Sequence, residues 1–170
     1  MTERKNDWES RVAACWAAAP EMDEERLFGT IEALAAERPA GDPAAAYERG
    51  SVRDSTGRSN EAVPYYREAL ASERLDAARR PQATIQLAST LRILGELDES
   101  ERLLRAELER ITASPDEHAL PEQTRAFLAF TLIAKGEPVE GAAHALLALA
   151  PHVTRYRRSI VGNAEELLTP

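Results

Sequence analysis

The sequence predicts an all-α protein of about nine helices, most of them paired into antiparallel hairpins. Three observations carry that expectation. The first is internal repetition, which fixes an architecture before any single residue is weighed. The segments AYERGSVRDSTGRSNEAVPYYREAL, TIQLASTLRILGELDESERLLRAEL and FLAFTLIAKGEPVEGAAHALLALA share one skeleton. A small residue (Gly50, Ala88, Ala129) is followed seven positions later by a glycine (Gly57, Gly95, Gly136), and five positions after that by a second small residue (Ala62, Ser100, Gly141). The second is composition: Ala, Leu, Glu and Arg dominate, all good helix formers, while Val, Ile, Thr and aromatic residues are too sparse for a sheet. The third is that apolar residues recur every three or four positions, the period of one helix face.

Taken in order, residues 1–6 are polar and are expected to fray. Asp7 caps a first helix whose apolar stripe is Trp8, Val12, Cys15, Trp16 and Ala19, and Pro20 ends it. A second helix starts near Asp23, with acidic residues at its positive end and a buried face of Leu27, Phe28, Ile31, Leu34 and Ala35. Residues 1–42 thus form an N-terminal hairpin, closed by a loop at Pro39, Gly41 and Pro43. Three hairpins fill 43–150, pairing 44–56 with 60–73, 78–94 with 97–112, and 119–135 with 138–150. Ser59 or Asn60 is the expected cap of the first hairpin's second helix, with Pro64 in or next to its first turn. Asp98, Glu99 and Glu101 open the second helix of the next hairpin, and Pro138 that of the third. Residues 151–170 supply a capping helix over about 152–168, with Val153, Tyr156, Ile160, Ala164 and Leu167 on one face. The whole chain is expected to make one domain.

The spacing has a physical reason. A glycine between two helices lets the chain turn through the left-handed conformation. Small residues on either side let the two helices approach, so Gly50 is expected to face Ala62, Ala88 to face Ser100, and Ala129 to face Gly141. Larger residues then fill the space between hairpins: Tyr66 and Leu70; Leu87, Leu91, Leu104 and Leu108; Leu128, Leu132 and Leu146.

With 29% charged residues and a net charge of −8, the chain reads as a soluble globular protein and is not expected to bind nucleic acid or an anionic membrane. No apolar run approaches the roughly 20 residues of a membrane span. The sole cysteine, Cys15, admits no internal disulfide, and MTERKNDWESRV has no apolar signal region, so a cytoplasmic location is expected.

These residues resemble the tetratricopeptide repeat family. Gly50, Gly57, Glu61, Ala62, Tyr66 and Ala69 fit its pattern in the first copy; Leu87, Ala88, Leu91, Gly95, Glu99, Ser100 and Leu104 in the second; Leu128, Ala129, Leu132, Gly136, Glu140, Gly141 and Ala148 in the third. Arg49 and Arg53 stand where the family has apolar residues, and no copy carries its early tryptophan. The turn glycines are 38 and 41 residues apart, longer than the family's period of about 34. The chain is also similar to a group of compact bacterial members with irregular flanking helices. The resemblance implies a right-handed superhelix whose concave face, made by the first helix of each hairpin, binds a peptide or helix of a partner protein. Carried over by position, that face comprises Tyr47, Ser51, Asp54 and Ser55; Gln82, Ile85, Ser89, Arg92 and Ile93; and Gln123, Ala126, Phe130 and Ile133. The Lys/Asn/Arg set with which some members clamp a terminal carboxylate is not present. The implied function is a non-catalytic scaffold or adaptor, with no cofactor.

Other groupings admit a plainer reading beside the functional one. Tyr47, Ser51 and Asp54 share a helix face, as a groove edge or as an internal hydrogen-bond network. Glu140 and His144 are spaced to share a metal, yet no second pair is visible, so His118, His144 and His152 are expected at the surface and no metal is expected. Cys15 reads as a small buried hydrophobe rather than a nucleophile. Trp8 and Trp16 pack in the core or, alternatively, join Tyr156 in a homo-oligomer interface. Arg155, Arg157 and Arg158 form a solvated basic face or a site for an acidic segment or phosphate. An enzyme or small-ligand sensor, with an enclosed pocket near Tyr47 and Arg92, is the remaining alternative.

Overall fold

The computed structural model describes residues 2–169, with side chains from residue 7 onward. Met1 and Pro170 lie outside the described residues. Among the described residues there are nine α-helices and no strand: α1 (Thr2–Ala18), α2 (Glu24–Ala36), α3 (Pro43–Ser55), α4 (Ser59–Ala71), α5 (Arg79–Ile93), α6 (Leu97–Ala113), α7 (Pro121–Lys135), α8 (Pro138–Leu149) and α9 (Arg157–Glu166). They form two compact units, Met1–Asp76 and Ala77–Pro170.

In the first unit, α1 begins at Thr2, five residues before the expected cap. Residues 2–6 contain neither Gly nor Pro, so helix propensity carries the helix past the apolar stripe. Asp7 is therefore internal to α1 and lies 3.7 Å from Arg11, one turn on. Pro20 stops α1 in a short 3₁₀ turn, and the Asp23 carboxylate accepts from the Arg26 N–H to open α2. Trp8, Val12 and Cys15 meet Leu27, Ile31, Leu34 and Val52 in one apolar cluster.

Helix α3 is capped by Asp42, which accepts from the N–H groups of Ala44 and Ala45. Both α2 and α4 pack on it, so it is buried on nearly every side. This explains the two arginines that depart from the family pattern. Glu32 of α2 accepts from both Arg49 and Arg53. Arg53, only 8% exposed, also lies over the rings of Phe28 and Tyr65, at 5.1 and 4.3 Å. A guanidinium that is paired and stacked fills a position where an aliphatic side chain would otherwise pack.

The second unit contains the next two hairpins and α9. Its core is Ile85, Ala88, Leu104, Leu128 and Leu132. Helix α5 packs on α6 and α7, α6 on α7, α7 on α8, and α8 on α9.

Three hairpins turn by one device. Gly57, Gly95 and Gly136 have φ of +73°, +87° and +88°. Each glycine N–H returns to the carbonyl three residues back, and the next residue's N–H returns five back: Arg58 to Arg53, Glu96 to Leu91, Glu137 to Leu132. That pattern satisfies the last carbonyls of the first helix. The same residue then opens the second helix, its carbonyl accepting from Ala62, Ser100 or Gly141. The turn is therefore as short as the two helices allow. It also makes a side-chain cap unnecessary. The expected cap at Ser59 or Asn60 is not used: Arg58 is the N-cap, and the Ser59 hydroxyl donates to Asp54 at 3.3 Å. Because α4 starts there, Pro64 lies beyond the first turn, on an exposed side of the helix.

The close approach takes different forms in the three hairpins. Ser100 donates to the Ala88 carbonyl at 2.7 Å. A Cβ on Gly141 would lie 3.0 Å from the Ala129 carbonyl oxygen. At Gly50 the tight neighbour is Tyr66, whose ring atoms would lie 2.7 Å from an added Cβ.

The C-terminal helix is shorter than expected. Pro151 leads a 3₁₀ turn, Ala150–His152, and Tyr156 takes a left-handed conformation (φ 63°), so α9 begins only at Arg157. Of the expected face only Ala164 is buried; Tyr156 is 79% exposed.

Candidate interaction face

The predicted face divides between the units. On α3, Tyr47 and Ser51 are buried and Asp54 is half-buried. Tyr47 lies 6.4 Å, centroid to centroid, from the fully buried Tyr66. Burial, helped by the Asp54 charge, pushes the Tyr66 phenol far above its ordinary value, while nearby Ser51 acts in the opposite sense. No partner meets the phenolic oxygen with hydrogen-bond geometry among the described residues. Beside them the sequence reading missed Glu48. It is 2% exposed and accepts from the Trp16 indole at 2.7 Å. The only signal was its place between Tyr47 and Gly50 on a helix packed from two sides. Burial, with Glu48 adding to it, raises the Cys15 thiol, which opposes nucleophilic chemistry.

In the second unit the picture differs. Ile85 belongs to the core and offers no surface. Gln82 and Gln123 are exposed, and Ser89 and Arg92 half-buried. Three large apolar side chains stand in solvent on the same two helices: Ile93 (61% exposed), Phe130 (55%) and Ile133 (52%). The Arg92 guanidinium spans from α5 to α7, 5.8 Å from the centroid of Phe130. Phe127 supports Phe130 edge-on, with centroids 6.1 Å apart. The structure thus sets Arg92 of α5 against Phe130 of α7, on the first helices of adjacent hairpins, with Ile93 and Ile133 exposed on the same two helices.

A family model for the tetratrico peptide repeat matches residues 43–167, which span all three hairpins and α9. The chain belongs to the tetratricopeptide repeat family. No curated protein and no solved structure matches it. Tetratricopeptide repeats in general mediate protein–protein interaction and are non-catalytic. Among the described residues no helix is long and apolar enough to cross a membrane.

The remaining groupings have structural uses. The Trp8 indole donates to the Leu34 carbonyl at 2.8 Å and its ring is buried, while the half-buried Trp16 donates to Glu48. His144 is buried, not at the surface: its Nδ1 lies 3.4 Å from Arg125 and its Nε2 3.9 Å from Glu140. Burial first, then Arg125 and Arg105, lower its pKa, and Glu140 opposes them. Among the described residues no three metal-ligating side chains converge. Arg155, Arg157 and Arg158 are exposed.

Proposed function

We propose that this protein is a cytoplasmic, non-catalytic adaptor that binds a segment of a partner protein along α5 and α7. The observation that carries this reading is the apolar surface of Ile93, Phe130 and Ile133, exposed on the first helices of two successive hairpins. Burying a side chain of this size contributes about 2 kcal/mol, from which immobilisation must be subtracted. Exposed apolar anchors on two packed helices, one of them against an arginine, are the composition of a binding hot spot. Ser89 and Gln123 are polar positions beside them, and Gln82, whose amide donates to the Ala78 carbonyl, stands near the start of α5. Tyr47, Ser51 and Asp54 are the matching positions of α3; the first two, being buried, are expected to stiffen that helix rather than to touch a ligand. The free Cys15 agrees with a reducing compartment.

The test is affinity capture from a lysate of the source cells, followed by the same capture with Phe130→Asp/Ile133→Asp and with Val139→Asp. Val139 is as exposed as Phe130 but lies on α8. A protein retained by wild type and Val139→Asp but lost with the double variant supports the reading. A protein retained equally by all three places binding on another surface.

A second reading, self-association through the C-terminal region, is favoured by Tyr156, Leu149 and Leu167, all exposed. Light scattering decides it: a mass that rises with concentration in wild type and not in Tyr156→Ala supports association, and a monomer throughout ends it.

A further inference from the structure

Resting on the assignment of α5 and α7 as the binding face, we infer that the bound segment carries a side-chain carboxylate, from Asp or Glu, beside a large aliphatic or aromatic residue. Arg92 carries the argument. Among the described residues no hydrogen bond or ion pair engages its guanidinium, and its Nε is buried without an acceptor. Three other cations of the same unit are engaged. Lys135 is bound to Asp98 and Glu101, Arg105 to Glu101 and Glu140, and Arg110 to Glu107 and Asp116. Arg125, Arg155, Arg157 and Arg158 of this unit also meet no carboxylate, but among these described arginines Arg92 alone buries an N–H without an acceptor.

Its setting defines the missing partner. The Phe130 ring of α7 lies 5.8 Å from the guanidinium, and the planar fork of an arginine offers paired N–H donors that match a carboxylate. Native proteins seldom leave a buried donor unmatched. Phe130 lies against the charge, and Ile133 is exposed one turn further along α7, so the residue next to the acid must be apolar to cover them. A phosphate or a chain-terminal carboxylate fits less well. Groups of that charge density are met by several cations together, and this face offers one.

The experiment uses the full chain. Short random peptides displayed on phage through their C-termini offer no terminal carboxylate. They are selected on wild type, and the enriched sequences are remade as amidated peptides for titration against wild type, Arg92→Gln and Phe130→Ala. Helicity of each variant is checked by circular dichroism. We expect enrichment of Asp or Glu beside Leu, Ile, Phe or Trp. Binding should weaken about tenfold in Arg92→Gln, and the Asn or Gln counterparts of the peptides should bind wild type and Arg92→Gln alike. On wild type alone, added salt should weaken the acidic peptides and spare their amide counterparts. Peptides that need Phe130 but show no acidic preference, or ignore Arg92→Gln, overturn the inference and leave the binding face standing. An absence of enrichment, or binders indifferent to both substitutions, overturns both.

Discussion

Gly29 and Gly50 sit inside helices, and their surroundings predict opposite responses to alanine. A Cβ on Gly29 of α2 meets nothing within 4 Å, so Gly29→Ala should stabilise the protein by about 0.5–1 kcal/mol through helix propensity. A Cβ on Gly50 of α3 would strike the buried Tyr66 ring, and overpacking of this kind costs about 1–3 kcal/mol. That exceeds the propensity gain, so Gly50→Ala should destabilise. Denaturant midpoints of the two variants check both signs. His144 gives a pH prediction. Its folded pKa lies below its ordinary value of 6.5, chiefly through burial. Between the folded and unfolded values the unfolded chain holds more protons, so stability should fall as pH drops from about 6.5 toward the folded pKa. Arg125 and Arg105 disfavour the imidazolium, and Glu140 only partly offsets them. Midpoints measured between about pH 7 and pH 5 should decline in wild type and less in His144→Asn. At this scale the sequence was least legible. The spacing of Arg49 and Arg53 says nothing of Glu32, which lies on another helix, and the burial of Glu48 and His144 depends on neighbours that no local pattern names.

Helix boundaries were read well where a backbone requirement fixed them. Each turn glycine needs a positive φ that other residues rarely adopt, so Gly57, Gly95 and Gly136 announced the three hairpin turns directly. Gly95→Ala should therefore cost about 1 kcal/mol although nothing crowds the position, a loss that thermal or chemical melting will show. The boundaries that differed, at α1 and α9, lie where no such requirement acts. Helix propensity extended α1, while Pro151 and the left-handed Tyr156 delayed α9. Between elements, Lys135 of α7 ties to Asp98 and Glu101 of α6, and Arg105 of α6 ties to Glu140 of α8. The Lys135 hydrogen bond holds Glu101 below the ordinary carboxylate value of 4.5. Its contribution is present above that value and is lost as pH falls through the lower folded pKa. Lys135→Met should thus lower the midpoint near neutral pH and flatten its decline below about pH 4.5, seen as converging acid limbs of the two stability profiles. These ion pairs tie α6, α7 and α8, while α5 is held on α6 and α7 by apolar packing.

For the whole molecule, repetition and composition carried the fold class and the family; which residues of the expected concave face are exposed was legible only in part. Position within the repeat pointed to Arg92, Phe130 and Ile133, because the first helices of successive hairpins must adjoin. It also pointed to Ile85, Tyr47 and Ser51, since periodicity does not distinguish a side chain at the edge of the core from one beyond it. We propose that α5 and α7 display a surface to a partner segment. The most direct test of that central claim places a photo-crosslinking amino acid at Phe130 in one sample and at Val139 in another, then irradiates each with the partner or a selected peptide. The account predicts a covalent adduct from position 130 and none from position 139. An adduct confined to position 139, or none from position 130 while binding persists, would contradict it.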